Sequence, residues 1–189
     1  MKIKKTNAVL GLLSILLMLI HIGYNVFSYL TMYYNPLFKL LTAIPFMVLV
    51  CIHAVTGMLT VFMQKDGSRM DLYPKQNART ILQRVSAALI FPLLILHINT
   101  FSLMTASMQK RWMICFFLLI FAEILFFATF ITHISVSFTN AFITLGILTS
   151  REVQQKIDKC IFIVNGIIFL ISVFAIVRGQ IFMFLFSNH

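Results

Sequence analysis

Charge is scarce in this 189-residue chain: Asp, Glu, Lys and Arg make up 11% of it, and only five residues are acidic. A soluble domain carries roughly twice that charged fraction, so the deficit excludes one. Cysteine is sparse as well. Cys51, Cys115 and Cys160 lie in or beside apolar stretches and form no C-x-x-C pair, which argues against both a disulfide framework and a thiolate metal site. The chain also lacks a G-x-G-x-x-G loop and any cysteine cluster, so nothing in it binds flavin or an iron–sulfur centre.

What fills the chain is apolar. Hydrophobic residues are 60% of the total, aromatics 14%, Phe alone supplies 20, and the mean hydropathy is +0.97. That aromatic content excludes disorder. At about 20 to 25 residues per membrane crossing, the length holds about five spans and little else. The runs place helices at about 7–30, 36–64, 80–104, 112–148 and 160–185, the third containing Pro92, in a single transmembrane domain over 1–189. The expected fold is all-α, a five-helix membrane bundle. Met1 to Lys5 followed by an apolar run resembles a signal peptide, but the run is long, lacks a small-residue cleavage pattern and precedes four more, so it reads as the first helix.

A net charge of +10 would suggest nucleic acid in a soluble protein; here it reads as topology. Lys2, Lys4, Lys5, Lys65, Arg69, Lys75, Arg79, Arg84, Arg151, Lys156 and Lys159 fall on one side of a five-span chain, and only Lys39, Lys110 and Arg111 on the other. Eleven against three predicts a cytoplasmic amino terminus and an outward carboxyl terminus, with lipid rather than nucleic acid as the surrounding partner.

Four histidines stand inside four consecutive spans: His21, His53, His97 and His133. The fifth, His189, is terminal. Intramembrane ionisable residues are rare and functional by default. At about 1.5 Å per residue, His21 and His97 fall in the outer half and His53 and His133 in the inner half, two layers about 10 Å apart. Each belongs to a helical stripe of small or polar residues. Ser14, Asn25 and Ser28 accompany His21; Thr42, Thr56, Gly57, Thr60 and Gln64 accompany His53; Ser86 and Thr100 accompany His97; Thr129, Ser137, Asn140 and Thr144 accompany His133. Small residues let helices approach and leave room for something flat between them.

Two neutral imidazoles from separate helices at one height suit axial ligation of haem iron, and two such pairs suggest two b-type haems. The plainer reading is four histidines that hydrogen-bond across helices. Zinc is disfavoured because no Cys, Asp or Glu completes a four-ligand set. A haem-free proton-coupled transporter or plain anchor is the competing function, separated by whether the protein carries haem.

Three segments add a family resemblance: H-A-V-T-G from His53 to Gly57; L-Q-R-V-S from Leu82 to Ser86, with His97 thirteen residues after Arg84; and His133 followed thirteen residues later by Gly146. In order and spacing they resemble the cytochrome b membrane anchor of succinate dehydrogenase and fumarate reductase, in its five-helix, two-haem form, over about Cys51 to Ser150. The resemblance implies His21 with His97 and His53 with His133 as ligand pairs, the pairing the depth arithmetic also gives. It further implies a flavoprotein and an iron–sulfur subunit docked on the cytoplasmic face of a bacterial cell membrane, and a quinone, expected to be menaquinone. A related cytochrome serving a different flavoenzyme is the nearest alternative.

Haem propionates need cations or hydrogen-bond donors, which Arg84, with Gln83 and Ser86, is placed to supply; a snorkelling interfacial arginine is the bland alternative. The segments 65–84 and 151–159 are the expected docking face, or positive-inside charge alone. Glu123 and Arg178 are the only other charges deep in spans; their long side chains can meet as a structural ion pair if helices four and five are neighbours, or both stand beside the outer haem, which makes Arg178 a further cofactor-binding candidate. Glu123 is the candidate for quinone and proton chemistry; an ion pair with Arg178 would make it structural instead.

Overall fold

The computed structural model describes residues 2–64 and 74–186. It is an all-α bundle of five long helices: α1 (Lys2–Thr31), α2 (Pro36–Gln64), α3 (Pro74–Gln109), α4 (Met113–Leu145) and α5 (Arg151–Ile181), the last running into a wide π turn, Phe182–Phe186. All five are long and apolar enough to cross a membrane. In hydrocarbon a backbone has no water to bond, so an apolar run of this length closes its hydrogen bonds internally as a helix. Pro45 in α2 and Pro92 in α3 sit inside helices that continue past them.

The connections show why the helices stop where they do. Asn35 caps α2 by accepting from Phe38 N (3.1 Å), Pro36 takes the first helical position, and the Tyr24 hydroxyl clamps the Asn35 backbone from α1 (2.8 Å each way). The α3–α4 turn holds Arg111 at φ 56°, and Trp112 N returns to Ser107 O at 2.8 Å. Gly146, at φ 81°, ends α4 in the left-handed conformation that only glycine adopts without cost. Ser150 then caps α5 by accepting from Val153 N.

The helices exceed several expected limits. α3 begins at Pro74 rather than near residue 80 and runs to Gln109; α5 begins at Arg151 rather than near 160. α4 stops at Leu145, short of 148. Hydropathy marks where a helix meets lipid, whereas polar residues such as those of 151–159 continue it into the aqueous layer.

Two hairpins form the core of the arrangement. α1 packs along α2 and α3 along α4; α1 also packs on α4, and α5 lies against both α1 and α4. Met18, Ile22 and Ile134 form the central contact, with Phe46, Phe127, Phe130 and Ile168 around it. A second cluster, Met104, Phe116, Ile120 and Phe184, joins α3, α4 and the π turn. Between the hairpins the main contact is α1 on α4, with Phe46 of α2 reaching Phe130 of α4. One end of the bundle carries Lys2, Lys4, Lys5, Arg79, Arg84, Arg151, Lys156 and Lys159, and is called the basic end below. Lys65, Arg69 and the rest of 65–73, part of the expected docking face, lie outside the described residues, as does His189.

A candidate site of two histidine pairs

Each hairpin is cross-linked internally by its own two histidines. On the first, His21 Nδ1 of α1 meets Thr42 Oγ1 of α2 (3.3 Å), and His53 Nδ1 of α2 meets the Asn7 carbonyl of α1 (3.2 Å). On the second, His97 Nδ1 of α3 meets Glu123 Oε2 of α4 (2.8 Å), and His133 Nδ1 of α4 meets the Gln83 carbonyl (3.1 Å) and Ser86 Oγ (3.1 Å) of α3. Between hairpins, His21 lies within electrostatic reach of His97, and His133 of His53. The two pairs sit at different heights, His53 and His133 nearer the basic end. Thr42 to His53 on α2 and Ser86 to His97 on α3 are eleven residues each, about 16 Å of helix rise, so the layers are farther apart than the expected 10 Å. The shorter figure counts from helix ends set by hydropathy, beyond which α1 and α3 extend.

Donor accounting fixes the tautomers. The carbonyls of Asn7 and Gln83 can only accept, so His53 and His133 carry their proton on Nδ1. Ser86 spends its hydroxyl proton on Gln83 O (3.0 Å), leaving its oxygen as a second acceptor for His133. Thr42 likewise donates to Lys39 O (3.0 Å) and accepts from His21. The Asn25 amide donates toward His21 Nε2 (3.1 Å), which independently requires the proton on Nδ1. His97 Nδ1–H donates to Glu123. All four rings therefore bond through Nδ1 within their own hairpin, and none is fully buried.

Packing fixes the ring planes. His97 lies flat on Phe126 (4.8 Å, 20°) and His21 on Phe46 (5.8 Å, 26°). Phe46 meets Phe130 edge-on (6.2 Å), and Phe130 meets Phe126 (5.8 Å), so phenyl rings connect the two hairpins beside the His21 and His97 layer. At His53 the neighbour is Gly11: a Cβ there would stand 3.0 Å from His53 Cε1, so the ring occupies the space a side chain would take. Thr56 binds Asn7 Oδ1 (2.8 Å) and holds that carbonyl-bearing turn against α2.

Glu123 is 4% exposed, and its second oxygen accepts from Thr100 (2.5 Å). Tyr29 lies within electrostatic range of this carboxylate and reaches Gln180, whose own Oε1 is buried without a partner. Arg178 does not meet Glu123, so of the two readings the ion pair is not formed. Its guanidinium turns to the Tyr29 and Leu30 carbonyls at the end of α1 (3.3 and 2.9 Å), where a cation complements the helix terminus. A long side chain near a helix end reaches the polar boundary at less cost than it enters the core.

Gln83 and Ser86 act on His133 rather than standing apart from it, and the Gln83 Oε1 accepts from Asn140 (3.1 Å). Arg84 is half-buried at the basic end beside them. One cluster escaped the sequence reading. Arg79 of α3 forms a two-pronged ion pair with Asp158 of α5 (2.7 and 2.9 Å) and also donates to the Val136 carbonyl (2.8 Å) and to Thr139 Oγ1 (2.5 Å) of α4. Asp158, the second acid of R-E-V-Q-Q-K-I-D-K and six residues past Glu152, was its available signal.

The donor set thus consists of imidazole pairs. Among the described residues no three His, Cys, Asp or Glu side chains converge as a metal site would need. Imidazoles oriented through Nδ1 present Nε2 to a metal held between helices, and at His21 that nitrogen is occupied by the Asn25 amide. No protein-family model matches the chain, and comparisons with curated proteins and with solved structures return no match.

Proposed function

We propose that this chain is a di-haem b-type cytochrome that anchors a succinate dehydrogenase or fumarate reductase type of complex and passes electrons between its iron–sulfur subunit and membrane quinone. One observation carries the reading: four imidazoles stand one on each of four helices long and apolar enough to cross a membrane, and each bonds through Nδ1 to the other helix of its own hairpin. Histidines that only crosslink helices have no need to do so through Nδ1 in every case. Ligating histidines do, because the Nδ1–H bond orients the ring and raises its basicity.

In this reading His21 and His97 hold one haem and His53 and His133 the other, and each haem supplies one-electron capacity within the membrane. The chain's own groups do the positioning. Thr42, Glu123, the Asn7 carbonyl and the Gln83–Ser86 pair fix Nδ1–H; Phe46 and Phe126 fix two ring planes; Gly11 makes space for His53. Asn25 must release His21 Nε2 before that lone pair can coordinate. Arg84 at the basic end is placed to receive a propionate, and Glu123 is the candidate to exchange protons with quinone, with menaquinone the expected type. The basic end faces the cytoplasm of a bacterial cell and receives the flavoprotein and iron–sulfur subunits, leaving the carboxyl terminus outside.

The test is a reduced-minus-oxidised spectrum of the chain purified from its native membrane. The reading expects a b-type band and two extractable haems per chain, with flavoprotein and iron–sulfur subunits copurifying. Absence of any haem leaves the transporter or plain-anchor reading. Haem with quinone reactivity but no partners points to a stand-alone cytochrome, and copurification with a different flavoenzyme to a related cytochrome serving that enzyme.

A further inference from the structure

At the end of the bundle away from the basic end, a groove of about 520 Å³ opens on the outer face of the α3/α4 hairpin. Leu96, Leu103 and Ala106 line it from α3, and Leu118, Leu119 and Ala122 from α4. Its polar residues, Ser107, Lys110 and Trp112, all stand at one end, beside the interhelical turn. From Lys110 down to Leu96 is fourteen residues, about 21 Å of helix, which exceeds half of a ~30 Å hydrocarbon core. The groove is therefore as deep as one leaflet, polar at the interface and apolar below.

That polarity decides between two membrane occupants. A quinone carries its polar ring to wherever its chemistry occurs and would need a hydrogen-bonding group at the deep end, where Leu96 and Ala122 supply none. A phospholipid has the opposite order, with headgroup at the surface and an acyl chain below. Charge then selects among phospholipids. Lys110 is held over the Trp112 ring (4.8 Å), next to Arg111, and among the described residues neither forms an ion pair. Among the described acids, Glu152 and Asp158 pair with Lys156 and Arg79 on or near α5 at the basic end, and Glu123 is committed to His97 and Thr100. No described acid therefore balances this pair, which leaves it open to an anion from the membrane.

We propose that this groove is a binding site for an anionic phospholipid, one acyl chain lying between α3 and α4 and the phosphate headgroup at Lys110 and Arg111. The site is independent of haem and of any partner subunit. Two cations near the surface favour an anionic over a zwitterionic headgroup by about fivefold each at moderate ionic strength.

Trp112, the single tryptophan, reports occupancy directly. The full chain is reconstituted in phosphatidylcholine vesicles containing a small fraction of bromine-labelled phosphatidylglycerol or, separately, bromine-labelled phosphatidylcholine, and quenching of Trp112 fluorescence is compared. The labelled anionic lipid should quench at severalfold lower mole fraction than the zwitterionic one. The Lys110→Gln/Arg111→Asn double variant should abolish that difference, Asn being chosen because it tolerates the left-handed backbone at 111. Ala122→Phe, which fills the deep end, should weaken quenching by both lipids. Equal quenching by the two lipids in the parent chain, or a preference that survives in the double variant, would overturn the proposal.

Discussion

Glu123 Oε2 stands 2.8 Å from His97 Nδ1, and the other oxygen of the same carboxylate is held by Thr100. Of the four intramembrane histidines, His97 is the one whose Nδ1 partner is a carboxylate; the others donate to carbonyl or hydroxyl oxygens. A carboxylate raises the basicity of a ligating imidazole more than a neutral acceptor does. This contact binds the quinone candidate to the ligand candidate, so the two roles proposed for Glu123 need separate tests.

Glu123→Ala removes the acceptor and should weaken haem retention at the His21/His97 site by about 10- to 100-fold, leaving the His53/His133 site intact. Glu123→Gln keeps an acceptor oxygen and should retain both haems. If Glu123 also serves quinone, Glu123→Gln loses most quinone-linked turnover while electron transfer from the soluble subunits to an artificial dye survives. Normal quinone turnover in an assembled Glu123→Gln protein would confine the residue to positioning His97.

Arg79, Thr139 and Asp158 tie α3, α4 and α5 together near the basic end, with the ion-paired side chains only 24% and 19% exposed. Losing charge-assisted bonds of this kind costs about 1.5–3 kcal/mol each. Arg79→Gln and Asp158→Asn should each destabilise the bundle by about that amount, and the double variant by less than their sum, because each single change strands a partly buried charge. Reversible unfolding in mixed micelles measures all three; strictly additive losses would show the residues to be uncoupled.

Gly179 lets α5 press against α1. A Cβ at that position would lie 2.3 Å from Tyr29 Cδ1 and 2.9 Å from Tyr29 Cβ, so the ring could not simply swing its far end aside. Gly179→Ala should destabilise by about 1–3 kcal/mol, the range for overpacking a tight contact. Tyr29→Ala on that background should recover part of the loss in the same unfolding measurement.

Much of this was legible in the sequence because membrane burial demands long apolar runs, and one histidine per run is conspicuous among them. The number of helices and the sorting of the histidines into two heights follow from residue counts alone. What could not be read were contacts that depend on helix rotation and on backbone atoms. The Asn7 carbonyl beside His53 has no side-chain signature, and Arg79 counted as one more topological charge until α5 brought Asp158 to it. Glu123 and Arg178 are compatible by depth, yet Arg178 turns to the α1 terminus and Glu123 to His97, since a nearer partner satisfies each.

The pairing itself is the central claim, and redox titration of the bound haem in histidine variants tests it most directly. His53→Ala and His133→Ala should each lose the same component, and the double variant should keep the other. His21→Ala and His97→Ala should lose the complementary one. Loss of different components from the His53 and His133 variants, or loss of both haems from their double variant in protein that still assembles, would contradict the account.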